Sequence, residues 1–266
     1  MPSALDAHAL EPLLADPARA AILLDIDGTL APIVEHAVDA HVPESTRQLV
    51  KALANRYRLV ACVSGRRASE ARAMVSVGTI SYLGSHGAEL LRAGWTTPVL
   101  DAEVEDWVRR VHDFSHEVDS SDLRRNRVRI EDKGPILAFH WRGAHDEDTA
   151  RAAVGAVASR AEAAGFRTHW GRKVLEVRPP VTFDKGAGIS SLLDGAEVDA
   201  ALYAGDDRTD LDAFRALTTL ADQGRIQHAV RVGVRSDEGP SEIAEEADIV
   251  VEGTEGVREL LEMLID

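Results

Sequence analysis

A chain of 266 residues, 45% of them hydrophobic, suits one large domain or a core domain with a smaller partner, and its apolar content excludes wholesale disorder. Its 45 acidic and 30 basic residues give a net charge of −15, and no basic block stands out, which argues against nucleic acid or an anionic membrane as a partner. No apolar run reaches the roughly 18 residues that a spanning helix needs, residues 1–16 lack the basic start of a secretory signal, and the one cysteine, Cys62, leaves no internal disulfide and points to a reduced, cytoplasmic setting.

Taken in chain order, residues 20–24 form a short apolar run that ends in acids, the pattern of a buried strand. Pro43-Glu44-Ser45 opens a helix that runs to about Tyr57. A second strand is expected at 58–63, with Cys62 as a buried structural thiol, followed by Ser64-Gly65-Arg66 and a helix to about Val75. A third strand covers 80–84, and Arg92-Ala93-Gly94 reads as a hairpin turn between Leu91 and Trp95. The middle of the chain changes character. A helix at 102–118 leads into strands at 128–130 and 136–140 around a turn, and an Ala-rich helix at 146–164 leads into strands at 167–170 and 174–177. Helix-strand-strand twice over implies antiparallel pairing in an α+β insert. Alternation then returns, with helices at 184–193, 211–217 and 257–264 and strands at 201–204, 230–234 and 249–251. The outer segments therefore predict an α/β core with a parallel sheet covered on both faces. The expected boundaries are core at 1–100, insert at 101–180 and core again at 181–266.

Four features carry chemistry. Asp25-Ile26-Asp27-Gly28-Thr29-Leu30 closes the first strand, where a parallel sheet binds ligands. Alternation along a strand tends to place Asp25 and Asp27 on one side, and Gly28 permits a tight exit. Gly205-Asp206-Asp207-Arg208-Thr209-Asp210 follows the strand at 201–204; capping of the next helix accounts for one of its three acids and not for all. A hard divalent cation takes one or two carboxylates plus waters and phosphate, so one acid from each cluster suffices. Ser64 offers a hydroxyl and nearby N–H groups to phosphate oxygens, although a helix cap is the plainer reading of a serine there. Lys185 follows Asp184, and taken alone the pair reads more simply as a helix cap with Lys185 on a solvated face. A protein this acidic repels phosphate at long range, so a phosphorylated ligand needs such local cations. P-loop, Gly-x-Ser-x-Gly and His-Glu-x-x-His motifs are absent, and Gly186-Ala187-Gly188 does not complete a dinucleotide-binding fingerprint.

Acid pair, serine, lysine and acid cluster, in that order at strand ends, resemble the haloacid dehalogenase superfamily. The resemblance implies a Rossmann-like parallel-sheet core with the insert as an α/β cap. It implies Asp25 as nucleophile, Asp27 as acid/base, Ser64 and Lys185 as holders of the phosphoryl group, and Mg2+ on Asp25, Asp27 and Asp206, with Asp207 and Asp210 behind. Val63-Ser64-Gly65-Arg66, Gly84-Ser85-His86-Gly87, the run from Lys133 to Arg142, the run from Gly171 to Pro179, and Tyr203-Ala204-Gly205-Asp206-Asp207-Arg208-Thr209-Asp210 are similar to trehalose-6-phosphate phosphatases. Ile26 and Trp141 stand where Phe and Tyr are more usual. That similarity implies a phosphatase acting on trehalose 6-phosphate through an aspartyl-phosphate, with a trehalose-6-phosphate synthase as a partner. It implies Arg66, His86, Gly87, Lys133, His140 and Glu176 as substrate-binding residues, with Glu131 and Arg142 as weaker candidates. Without it, Lys133 in a turn and Glu176 in a strand read as solvated side chains. Another phosphorylated sugar, transfer of the phosphoryl group to a sugar hydroxyl, and a purely binding role are the alternatives; the intact Asp25, Asp27, Ser64, Lys185 and Asp206 count against the last.

Overall fold

The computed structural model describes residues 7–34, 40–100, 102–181, 184–236 and 239–266. The chain divides into two compact units, Met1–Val99 with Phe183–Asp266, and Leu100–Thr182.

The first unit is built on β1 (Ala20–Asp25), which follows α1 (Ala7–Ala15). After α2 (Glu44–Arg56) come β2 (Leu59–Val63), α3 (Ala68–Val75), β3 (Ser81–Gly84), β4 (Glu89–Leu91) and β5 (Val99–Leu100). The chain re-enters this unit with α7 (Lys185–Asp194), β10 (Ala200–Gly205), α8 (Asp210–Asp222), β11 (His228–Arg235), α9 (Ser241–Glu246), β12 (Ile249–Glu252) and α10 (Gly253–Met263). The sheet order is β12-β11-β10-β1-β2-β3-β4-β5. Pairing is parallel from β12 to β3 and antiparallel between β3 and β4.

Every residue of β1 is buried, and the period of two divides them between the faces. Ala20, Ile22 and Leu24 join Val50 and Leu53 of α2 and Val257, Leu260 and Leu261 of α10. Ala21 and Leu23 join Ile189 of α7 and Leu211, Phe214 and Leu217 of α8. A strand apolar at every position is therefore stable only between two helix layers, which the sequence supplies. Connections leave β1 toward β2 and β3 on one side, while β10, β11 and β12 lie on the other. This reversal opens a crevice at the carboxyl ends of β1, β2 and β10, the position where open α/β sheets hold ligands.

The second unit holds α4 (Ala102–Val118), α5 (Ser121–Arg125), β6 (Arg129–Asp132), β7 (Leu137–His140), α6 (Glu147–Ala163), β8 (Arg167–Gly171) and β9 (Val174–Arg178). Its sheet runs β6-β7-β9-β8, antiparallel throughout. Val111, Phe114 and Val118 of α4 and Ala150, Val154, Val157 and Ala161 of α6 recur at helical spacing and bury Leu137, Phe139, Leu175 and Val177. The other sheet face carries a cross-strand row of Glu131, Ala138, Glu176 and His169. α1, α5 and α9 were not marked by periodicity: α1 carries Pro12, and the other two span five and six residues, too short to show an apolar stripe. The turn expected at Arg92-Ala93-Gly94 forms, with Trp95 N–H on the Arg92 carbonyl at 3.0 Å.

Candidate functional site

Asp25 ends β1, Ser64 follows β2, and Asp206 follows β10, so three adjacent strands deliver side chains to the crevice. Lys185, the first residue of α7, is 2% exposed rather than solvated. Its Nζ donates to Asp25 Oδ1 at 2.7 Å and to Asp210 Oδ1 at 2.6 Å, with Asp207 Oδ1 at 3.9 Å. The neighbouring Asp184 caps the same helix by accepting from Ala187 N–H at 2.8 Å. Cap and buried cation are therefore both realised in consecutive residues.

Asp210 is occupied as a brace. Its Oδ1 accepts from Lys185 and from the Tyr203 hydroxyl, and its Oδ2 accepts the backbone N–H groups of Asp206 and Asp207 at 2.8 and 2.9 Å. Those bonds hold the 206–207 loop in place and use up most of the carboxylate's acceptor capacity. Asp206 has a weaker partner, the Thr29 hydroxyl at 3.5 Å. Gly28, at φ +89, is the residue that allows this approach: a Cβ there would lie 2.2 Å from Asp206 Oδ2.

The electrostatics are uneven in a useful way. Burial pushes the Asp206 carboxyl up to about 7, aided by the charges of Asp210 and Asp207. Burial also opposes ionisation of Asp207, but Lys185 and the Thr209 hydroxyl and N–H outweigh it and hold that carboxyl low. Asp25 is raised by burial and by Asp210, against the pull of Lys185. Burial disfavours the Lys185 ammonium, yet Asp25 and Asp210 more than offset this and keep it charged. Among the described residues, one group of three or more metal-ligand side chains converges: Asp25, Asp206 and Asp210, with ligand atoms within 4.8 Å of one another. One lysine does not balance these acids, and hard oxygen donors with surplus negative charge fit a divalent cation such as magnesium. Because Asp210 is committed to the loop, Asp25 and Asp206 are the acids with capacity left to hold one.

Asp27 has a different partner from Asp25. Its carboxylate, 39% exposed, takes a two-pronged contact from Arg66, Nε to Oδ2 at 2.8 Å and Nη2 to Oδ1 at 2.7 Å. Ser64 is 1% exposed; its N–H bonds the Leu83 carbonyl at 2.9 Å, its carbonyl accepts from His86 N–H at 3.1 Å, and its Oγ accepts from Arg66 N–H at 3.1 Å. Ser85 and His86 both lie at positive φ, 50 and 57, before Gly87 at φ +100. Strain of this kind persists only where surroundings enforce it. Here a Cβ on Gly87 would sit 2.5 Å from the Asp184 carbonyl, so the turn is pressed against the start of α7.

Two positioning features lay outside the sequence reading. Gly186 and Gly188 make no dinucleotide fingerprint, but a Cβ on Gly186 would lie 2.4 Å from the Asp212 carbonyl and one on Gly188 would lie 2.6 Å from Gly87 Cα. They allow α7 to seat closely enough to aim Lys185. Glu89, 3% exposed, accepts from Ala68 N–H at 2.9 Å and so ties the loop after Ser64 to β4. A lone acid in an apolar run was the available signal for it.

In the second unit, His140 Nε2 lies 2.7 Å from Glu131 Oε2. Lys133 Nζ lies 3.6 Å from Glu176 Oε1, and Glu176 also accepts from Arg178 Nε at 3.0 Å. Burial opposes the Glu176 charge, but Arg178 and Lys133 hold its carboxyl below the usual range. Glu131, Lys133, His140 and Glu176 thus form two neighbouring charge clusters; Arg142 is exposed.

A family model described as trehalose-phosphatase matches residues 23–251. The chain belongs to the trehalose-phosphatase family. A probable trehalose-phosphate phosphatase D of Arabidopsis thaliana is 30% identical over 219 residues, 74% of this chain and 56% of that protein. An uncharacterized glycosyl hydrolase of Mycobacterium tuberculosis is 33% identical over 231 residues, 82% of this chain and 17% of that protein. The chain therefore spans about half the length of one of these relatives and a small part of the other. The solved C-terminal domain of a C. albicans trehalose-6-phosphate phosphatase superposes with a TM-score of 0.68 at 20% identity, covering 100% of this chain and 99% of that one. A solved haloacid dehalogenase-like hydrolase from Bacteroides thetaiotaomicron has a similar fold, with a TM-score of 0.61 at 14% identity over 91% of this chain and 98% of that one.

Proposed function

We propose that this chain hydrolyses trehalose 6-phosphate to trehalose and phosphate through an aspartyl-phosphate on Asp25. The observation that carries this reading is the buried Lys185–Asp25 contact at 2.7 Å, set beside surplus carboxylates at the sheet's switch point.

Phosphate monoester hydrolysis is among the slowest uncatalysed reactions, so nucleophile, charge and leaving group all need help. Lys185 holds Asp25 Oδ1, which orients the carboxylate and leaves Oδ2 to attack phosphorus in line. As the Asp25–phosphorus bond forms, the ester bond to the sugar breaks, and Asp27 gives a proton to the departing alkoxide. Water then attacks the phosphorus, Asp27 takes its proton, and the Asp25 carboxylate is regenerated with release of phosphate. Ser64 and Lys185 hold phosphoryl oxygens. Asp25 and Asp206, with the Asp27 carbonyl, would hold magnesium, which would supply positive charge to those oxygens and to the attacking carboxylate.

Arg66 grips the Asp27 carboxylate through two bonds that occupy both of its oxygens. Delivery of a proton by Asp27 requires part of that grip to yield, and a substrate phosphate is a competing anion for the guanidinium. The second unit takes the role of cap domain in this proposal, with Lys133, Glu176, His140 and Glu131 reading sugar hydroxyls and His86 and Gly87 lining the substrate's path. A trehalose-6-phosphate synthase is proposed as a partner only on the ground that it makes the substrate. A cytoplasmic setting is likewise proposed; no described helix is long and apolar enough to cross a membrane.

Single-turnover kinetics test the assignment of roles. Asp25→Asn should release no leaving group from any substrate while still binding trehalose 6-phosphate. Asp27→Asn should slow leaving-group release from the sugar phosphate far more than from an aryl phosphate, whose phenolate departs unaided. Equal losses on both substrates would remove Asp27 as the acid.

A further inference from the structure

On the helix-facing side of the second unit's sheet, an open cavity of about 310 Å3 is lined by Trp141, Trp170, Glu147, Asp148, Arg151 and Lys173. It lies away from the face that bears Glu131 and Glu176. Trp170 pairs across the strands with Leu175, whose side chain is buried among α4 and α6, whereas the next residue, Glu176, belongs to the opposite face.

The two indoles make an aromatic corner. Their centroids are 5.9 Å apart with planes at 72°, so Trp141, 5% exposed, is the back wall and Trp170, 43% exposed, is a platform open to solvent. The corner is held rigidly. The Trp141 backbone N–H bonds the Lys173 carbonyl at 3.2 Å, Lys173 is fixed at φ 63, and its Nζ pairs with Glu147 at 2.7 Å.

The polar rim indicates the class of ligand. Two acids, Glu147 and Asp148, face two bases, Arg151 and Lys173, so the rim is balanced in charge. The start of α6 offers no anion site, because the Asp146 carboxylate already accepts the N–H groups of Asp148 and Thr149 at 3.1 and 3.0 Å. A half-exposed aromatic face beside neutral-sum donors and acceptors suits a molecule with one apolar C–H face and a ring of hydroxyls. We propose that this corner is a second, non-catalytic site that binds a neutral hexose or polyol, stacked on Trp170 with its hydroxyls on Asp148 and Arg151. This assignment does not depend on the hydrolytic role proposed above.

The test follows the indole N–H resonances of the four tryptophans in the full chain during titration with glucose, trehalose, glucose 6-phosphate and inorganic phosphate. Glucose and trehalose should shift the Trp141 and Trp170 signals saturably, with Kd on the order of 1–10 mM for so small and open a site, and leave Trp107 unmoved. Trp170→Ala should weaken the Trp141 response by about tenfold or more, equivalent to about 1.4 kcal/mol. Trp170→Phe, which keeps an aromatic face on the same edge strand, should restore most of it. Aryl phosphate turnover should stay at the parent level in both variants. The proposal is overturned if neutral sugars leave both signals unmoved, if Trp141 responds equally in Trp170→Ala, or if glucose 6-phosphate or phosphate binds there more tightly than glucose.

Discussion

Asp206 and Asp210 are separated by three residues and have opposite duties. Asp210 accepts from Lys185, Tyr203 and two backbone N–H groups, so Asp210→Ala leaves the buried Lys185 ammonium with Asp25 as its one close carboxylate and takes the partner from the Tyr203 hydroxyl and two amides. Removing one partner of a buried ionic network costs about 3–5 kcal/mol, and thermal denaturation should show a loss of that order with activity abolished. Asp206→Asn should leave stability intact or raised and abolish activity, since its buried carboxyl is the poorly partnered member. The pH dependence follows with its sign. The Asp206 carboxyl titrates near 7 in the folded chain against an ordinary 3.8, so between those values the native state binds more protons than the unfolded one. Stability of the metal-free protein should therefore fall as pH rises through this window. Magnesium, bound to the ionised form, should raise Tm more at pH 8 than at pH 5; an equal rise at both would contradict the assignment of Asp206 as a ligand.

At the level of elements, the proposed reaction depends most on the placement of α7, which carries Lys185, and the glycines of α7 permit that placement. A methyl at Gly186 would meet the Asp212 carbonyl of α8 at 2.4 Å. Gly186→Ala should therefore cost about 1–3 kcal/mol of stability, as overpacking does. It should also lower kcat on sugar and aryl phosphates alike, because Lys185 moves with its helix. Unchanged turnover with normal stability would mean that the contact relaxes at no cost. The strands of the core were legible in the sequence because burial on both faces leaves only apolar residues in 20–24 and 201–204, and acids at their ends mark the crevice. The close seating of α7 was not legible, since Gly186-Ala187-Gly188 acquires meaning only from Gly87 and Asp212, which are distant in sequence. Nor was the Arg66–Asp27 contact: residues 39 positions apart come together through the β1–β2 pairing, which the sequence suggests, and a rotamer choice, which it does not.

For the molecule as a whole, the two units divide the work in this account, phosphoryl transfer in the first and sugar recognition in the second. A hydrogen bond to a charged group contributes roughly 1.5–3 kcal/mol. Lys133→Ala or Glu176→Ala should thus lower kcat/KM on trehalose 6-phosphate by about 10- to 150-fold and leave an aryl phosphate within a few-fold. Lys133 and Glu176 are 3.6 Å apart, so the double variant should lose less than the two losses combined. The order of elements in the second unit was visible in the sequence and Glu131, Lys133, His140 and Glu176 stood out only through the family resemblance, while their pairing and the cross-strand row joining Glu131, Ala138, Glu176 and His169 needed the register. The most direct test of the central claim is phosphate release, in magnesium, from trehalose 6-phosphate and glucose 6-phosphate side by side. The kcat/KM ratio should be at least about tenfold in favour of trehalose 6-phosphate, the effect of a single lost charged hydrogen bond, with both activities abolished by chelator; comparable kcat/KM on the two esters, or full activity without a divalent cation, would overturn the proposed reaction.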